Sequence, residues 1–144
     1  MIKIICVGKL KENYMIDLVN DYYRRVNKYH KIEIIEVKDS NLKDESLEIK
    51  KYIGDRDFVV TMEIEGNKLS SIELSKKIDN LLMTYGNIVF IIGGSDGIDE
   101  SIKRMSNYSI SFSSLTFPHG LFRGILLEQI YRSFKILNNE TYHK

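Results

Sequence analysis

Two stretches in the last third of the chain hold residue types that could do chemistry. The apolar run Ile88-Val89-Phe90-Ile91-Ile92 breaks into Gly93-Gly94-Ser95-Asp96-Gly97, and Ser109 to Phe117 leads into Pro118-His119. A strand that stops in glycines lets a ligand approach the backbone without meeting a Cβ, and the carboxyl edge of an open α/β sheet is where small molecules bind. A plain structural turn is the alternative. The spacing Gly93-Gly94-x-x-Gly97 does not match G-x-G-x-x-G, and the phosphate-binding Gly-Lys-Ser/Thr loop is absent. The segment Ser111-Phe112-Ser113-Ser114-Leu115-Thr116-Phe117 is too polar for a core strand and too apolar for a solvated loop. It suits a ligand wall whose backbone bonds an adenine edge while Leu115 and Phe117 pack on its face, or else an ordinary strand end and helix cap. His119, at a helix start, has a dipole beside it that disfavours its cation, which suits neutral hydrogen bonding; taken alone it also reads as a surface histidine. No Ser/His/Asp order, cysteine cluster, H-E-x-x-H or calcium loop gives a hydrolase or metal reading support.

Strands alternating with helices must position these residues. Ile2–Val7, Ile32–Val37, Phe58–Ile64, Ile88–Ile92 and Tyr108–Phe112 read as five strands. Helical periodicity runs from about Glu12 to Tyr29, over a short stretch around Leu47–Ile53, from Ser70 to about Thr84, from about Asp99 to Met105, and from Pro118 to about Leu137. Ser70 and Glu73 have the spacing of a capping box. The expected fold class is α/β, a mostly parallel sheet with helices on both faces. Leu121, Phe122, Ile125, Leu126, Leu127, Ile130 and Phe134 cover more of the last helix than one sheet face would bury, which predicts that it also packs on another subunit around Gly124.

At 144 residues and 43% hydrophobic, one domain spanning 1–144 can bury a core without disulfide or metal. The only cysteine, Cys6, lies inside the first apolar strand and reads as a small buried hydrophobe of a reducing compartment. No apolar run is long enough for a membrane span and no signal-peptide layout opens the chain, so a cytoplasmic protein is expected. The net charge of +1 excludes a uniformly basic nucleic-acid binder, but it is unevenly placed: residues 1–31 and 101–144 each carry net +4, and residues 32–65 carry net −5. If the two basic ends meet in the fold, they form a local face able to hold phosphates; otherwise they are an ordinary solvated surface. The terminal Tyr142-His143-Lys144, on its residues alone, reads as a disordered end.

Taken together, Gly8-Lys9-Leu10-Lys11, Ile91 to Gly97, Ser111 to His119, Leu126-Leu127-Glu128-Gln129-Ile130-Tyr131-Arg132 and terminal Tyr142-His143-Lys144 closely resemble the RlmH family along essentially the whole chain. Those proteins are SPOUT-class methyltransferases that use S-adenosylmethionine to methylate N3 of a pseudouridine in helix 69 of large-subunit ribosomal RNA. The resemblance implies a homodimer with a C-terminal trefoil knot, acting on rRNA in the assembled ribosome, with no membrane and no metal. By motif match, Met62, Gly93, Phe112, Ser113, Ser114, Leu115, Thr116 and Phe117 would hold the cofactor. His119, Arg132, Tyr142, His143 and Lys144 would form the catalytic, RNA-facing group. A non-catalytic cofactor- or ribosome-binding module, and a transfer RNA methyltransferase of the same fold, are the other readings. The chain departs from the family pattern at Gly120 and Gly124, where glutamine and a bulkier apolar residue are common, and at Asn138-Asn139, where an Arg-Gly pair is common.

Overall fold

The computed structural model describes all residues, Met1–Lys144. The elements are β1 (Ile2–Val7), α1 (Asn13–Asn27), β2 (Ile32–Val37), α2 (Leu42–Lys50), β3 (Asp57–Lys68), α3 (Ser71–Thr84), β4 (Asn87–Ile92), α4 (Glu100–Met105), β5 (Tyr108–Ser111) and α5 (His119–Leu137). The five strands form one parallel sheet in the order β2-β1-β4-β3-β5. Because side chains alternate across a strand, Ile2, Ile4 and Cys6 of β1 enter one core and Ile5 and Val7 the other. Helices α1, α3 and α5 cover the first face through Val19, Val26, Leu74, Ile78, Leu126, Leu127 and Ile130. Helices α2 and α4 cover the second through Ile49 and Ile102. The α/β class and the placing of helices on both faces follow the expectation.

Three local readings change. Helix α2 begins at Leu42, five residues before the stretch the periodicity marked, because the Asn41 side chain caps it by accepting from Asp44 N at 2.9 Å. Strand β3 runs beyond Ile64 to Lys68, and both Met62 and Asn67 register against Ile110, so residues 63–66 arch past β5. Gly66 permits that crossing, since a Cβ there would sit 2.8 Å from the carbonyl carbon of Ile110. Strand β5 ends at Ser111, one residue early. Part of the apolar surface of α5 is taken up by α1 and α3 of the same chain: Leu126, Leu127, Ile130 and Phe134 are buried, and Gly124 faces Leu18 of α1 at 2.6 Å from where its Cβ would be. Leu121, Phe122 and Ile125 stay only partly buried within the chain. The capping box at Ser70 and Glu73 forms as its spacing predicts.

Glycine also tightens the start of α5. A Cβ at Gly120 would meet Met15 Sδ at 2.5 Å and Leu10 Cδ2 at 2.9 Å, so the residues that depart from the family pattern let α1 and the β1–α1 loop close on α5. At the other end, Asn139 takes φ +54°, a left-handed conformation that asparagine tolerates next after glycine. Asn139 N and Glu140 N then bond the carbonyls of Ile136 and Lys135, which turns the tail back along the helix.

Candidate active site

A cleft of about 510 Å³ opens at the carboxyl ends of β3, β4 and β5. Seven of the eight residues assigned to the cofactor by motif line it: Met62, Gly93, Phe112, Ser113, Leu115, Thr116 and Phe117. Ser114 does not; its Oγ lies 3.2 Å from Lys68 Nζ, which accepts no proton and so donates to it. Gly93 has a structural reason for its identity, because a Cβ there would run into the Gly97 carbonyl and lie 2.8 Å from Ile98 Cγ1. The turn it permits is closed by Gly97 N donating to Gly94 O at 3.1 Å.

The segment after β5 makes few hydrogen bonds within the chain. Within residues 112–117 the only backbone group donating inside the chain is Leu115 N, to Ser113 Oγ at 2.9 Å, while Ser113 O accepts from Ser111 Oγ at 3.1 Å. The remaining amides and carbonyls of the strip make no bond within the chain; Ser114, Leu115 and Thr116 are exposed, and Phe112, Ser113 and Phe117 are partly buried. Aromatic packing holds the strip in place: Phe122 stands 5.4 Å from Phe112 and 6.2 Å from Phe117, ring centre to ring centre. On the opposite wall Glu63 accepts from Thr61 Oγ1 at 2.7 Å and pairs with Lys103 at 3.4 Å. Sequence reasoning missed Glu63, Lys103 and Phe122 as lining residues, and only Phe122, spaced from the Phe-Pro-His motif by one helical turn, carried a signal that could have found it.

The tail is docked. Tyr142 OH donates to Glu128 Oε1 at 3.0 Å, and its ring meets Tyr131 edge-on at 5.0 Å with the Arg132 guanidinium 4.7 Å above it. Arg132 binds the same carboxylate through Nη2 at 2.7 Å and Nε at 3.1 Å, and its Nη1 lies 3.1 Å from His143 Nδ1. The Glu128 hydrogen bond raises the Arg132 pKa, and burial followed by the Glu128 bond raises that of Tyr142. Since a guanidinium can only donate, His143 Nδ1 accepts and its Nε2 carries the proton. Glu128 is the hub of the cluster. Its place four residues before Arg132, inside a motif already singled out, was the available signal. Lys144 is exposed. Behind the cluster, Glu140 accepts from Tyr29 and Lys135, both at 2.8 Å, and fastens the turn.

His119 lines the cleft, whereas Arg132, Tyr142 and His143 do not. Thirteen residues of α5 separate His119 from Arg132, a rise of about 20 Å. One chain therefore holds the cleft with His119 and the tail cluster around Arg132 apart along one helix.

The family model described as "Predicted SPOUT methyltransferase" matches residues 1–143. The chain is 48% identical over 158 aligned residues to the ribosomal RNA large subunit methyltransferase H of Ureaplasma parvum serovar 3, an alignment covering 100% of this chain and 99% of that relative. Its fold resembles that of a probable methylase family protein from Haemophilus influenzae, with a TM-score of 0.64 at 10% identity over 99% of this chain and 70% of that one. It also resembles the SpoU methyltransferase AviRb of Streptomyces viridochromogenes in complex with AdoMet, with a TM-score of 0.53 at 9% identity over 92% of this chain and 57% of that one. At those identities the structural likeness carries the fold alone.

Proposed function

The chain belongs to the SPOUT methyltransferase family, in its RlmH branch, and on that premise we propose that it is a cytoplasmic, single-domain homodimer that methylates large-subunit ribosomal RNA. The target would be N3 of the pseudouridine in helix 69, on the assembled ribosome, and the methyl donor S-adenosylmethionine. The trefoil knot of the family is part of this reading.

The observation that carries the proposal is the strip of unpaired backbone at 112–117 facing an apolar wall. An adenine edge offers the donors and acceptors such a strip lacks, and Met62, Leu115 and Phe117 supply the apolar faces; the cleft volume lies in the range that holds a ligand of this size. Glu63 adds a carboxylate suited to a cationic or hydroxyl-bearing group. The residues thus fit S-adenosylmethionine, which when bound supplies an electrophilic methyl group.

The chain's own task is alignment and proton management. Holding reacting atoms in line can supply about 7–11 kcal/mol of barrier lowering, more than one acid or base gives. An imide N3 becomes nucleophilic only when its proton leaves. His143 has its Nδ1 lone pair occupied by Arg132, so it serves as a donor to the developing imidate oxygen, aided by Lys144 and Arg132. His119, at the cleft, takes the role of proton acceptor, a contribution of roughly 10²–10⁴-fold. Because about 20 Å of helix separates these groups in one chain, the tail of one copy must complete the cleft of a second in a two-fold dimer.

Mixing two inactive variants tests this arrangement. Gly93→Val spoils the cleft and His143→Ala the tail; after subunit exchange, one site of each mixed dimer is intact, and methyl transfer to ribosomes should return. A mixture as inactive as its components, with mixed dimers demonstrated by differential tagging, would refute the shared site.

A further inference from the structure

The β1–α1 loop, Gly8 to Lys11, has its backbone fixed while its two lysines stay free. Gly8 N donates to Val37 O at 2.8 Å, Gly8 takes φ +96°, and Leu10 N donates to Glu36 Oε2 at 3.3 Å. Arg123, 3% exposed in the second turn of α5, donates through Nη2 to Gly8 O at 3.2 Å and through Nη1 to Glu36 Oε2 at 2.6 Å. Leu10 lies against Gly120, next to His119. A loop pinned at three backbone points and by one apolar side chain is far more constrained than most surface loops. Lys9 and Lys11 are nevertheless exposed and have no acid within 4 Å.

The loop also stands beside the cleft. It leaves β1, the neighbour of β4, and a Cβ on Gly94 would come within 2.9 Å of Val7 Cγ1. Glu36 is partly exposed under the loop, and Arg123 neutralises it, so the lysines present their charge without a competing carboxylate. The packing of α1 on α5 also brings the two basic ends of the chain together.

We propose that the Gly8–Lys11 loop is a docking element for RNA phosphates flanking the target base, with the pair of buried Arg123 and Glu36 as the positioning device that sets its shape. The substrate class rests on the rRNA reading above. Lysines on a fixed backbone act as point charges for phosphates, contributing salt-dependent affinity and register but no base readout.

The test measures ribosome binding and methyl transfer over a salt series for wild type, Lys9→Gln/Lys11→Gln, Lys9→Arg/Lys11→Arg and Arg123→Lys, with S-adenosylmethionine affinity measured by calorimetry. The glutamine pair should bind ribosomes more weakly, with a log–log salt slope shallower by about one per lysine, and should raise KM while leaving cofactor affinity and saturated kcat unchanged. The arginine pair should retain binding. Arg123→Lys keeps a charge near Glu36 but loses the fork to Gly8, and should raise KM in the same way; if it does not fold, Glu36→Gln takes its place. An unchanged salt slope and affinity in the glutamine pair would overturn the loop's role, as would a loss confined to cofactor affinity. Wild-type protein that binds ribosomes through these lysines but transfers no methyl would uphold the loop and overturn the proposed activity.

Discussion

Replacing Glu128 by glutamine should release the tail while leaving sheet and cleft standing. The carboxylate, 18% exposed, receives Arg132 Nη2, Arg132 Nε, Gln129 Nε2 and Tyr142 OH. Glutamine keeps the volume but presents one uncharged acceptor oxygen in place of two charged ones. Hydrogen bonds to charged groups contribute about 1.5–3 kcal/mol and neutral ones about 0.5–1.5 kcal/mol, so the exchange removes about 1–1.5 kcal/mol from the Tyr142 bond that docks the tail. At about 1.4 kcal/mol per factor of ten, the undocked share rises roughly tenfold. Digestion of the tail by carboxypeptidase reads this directly, alongside single-turnover transfer at saturating cofactor. Cleavage should accelerate in the tail alone, transfer should fall by a similar factor, cofactor affinity should hold, and the thermal midpoint should barely move. Unchanged tail protection with unchanged transfer would show that Glu128 does not organise the tail and would refute the reasoning.

Gly93→Ala should cost about 1–3 kcal/mol, because its methyl meets the Gly97 backbone and Ile98 rather than a flexible side-chain end; thermal unfolding and a cofactor titration should both register the loss. Burial would raise the Asp57 pKa, but hydrogen bonds from Gly54 N and Asn87, with Lys3 nearby, outweigh it and hold the group below its ordinary 3.8. A depressed folded pKa contributes stability that is complete above the unfolded value and disappears as pH falls through the folded one, so Asp57→Asn should flatten the stability curve below about pH 4, measured by denaturant titration. Burial pushes the Cys6 thiol up to about 12, so the native protein should resist a thiol reagent at pH 8 and react only on unfolding; rapid native labelling would contradict its place in the core.

Those outcomes rest on features of unequal visibility in the sequence. β1 and β4 were legible because central parallel strands are nearly apolar on both faces, β2 because Ile32, Ile34, Ile35 and Val37 keep an apolar run around its exposed Glu33 and Glu36, and α3 because Ser70 and Glu73 announce its start. The cleft wall from Phe112 to Phe117 stood out by its mixed polarity. Helix α2 was misplaced because its start depends on one asparagine cap rather than on apolar spacing. How the apolar surface of α5 divides among its neighbours was not legible, because composition counts apolar residues without saying which neighbour covers them; α1 and α3 cover Leu126, Leu127, Ile130 and Phe134, with Gly120 and Gly124 allowing the approach. The arch of residues 63–66, the Arg123–Glu36 pair and the docking of Tyr142 on Glu128 join positions 44, 87 and 14 residues apart in the chain, and no local pattern encodes such pairings. That separation explains why the cleft and the tail cluster were named together from motifs although one chain holds them apart.

The central claim is tested most directly by incubating the purified protein with methyl-labelled S-adenosylmethionine and ribosomes lacking the modification, with free transfer RNA in parallel, and mapping the labelled nucleoside. Label is expected at N3 of the helix 69 pseudouridine in ribosomes and none in transfer RNA. Label confined to transfer RNA, or cofactor binding without any transfer, would contradict it.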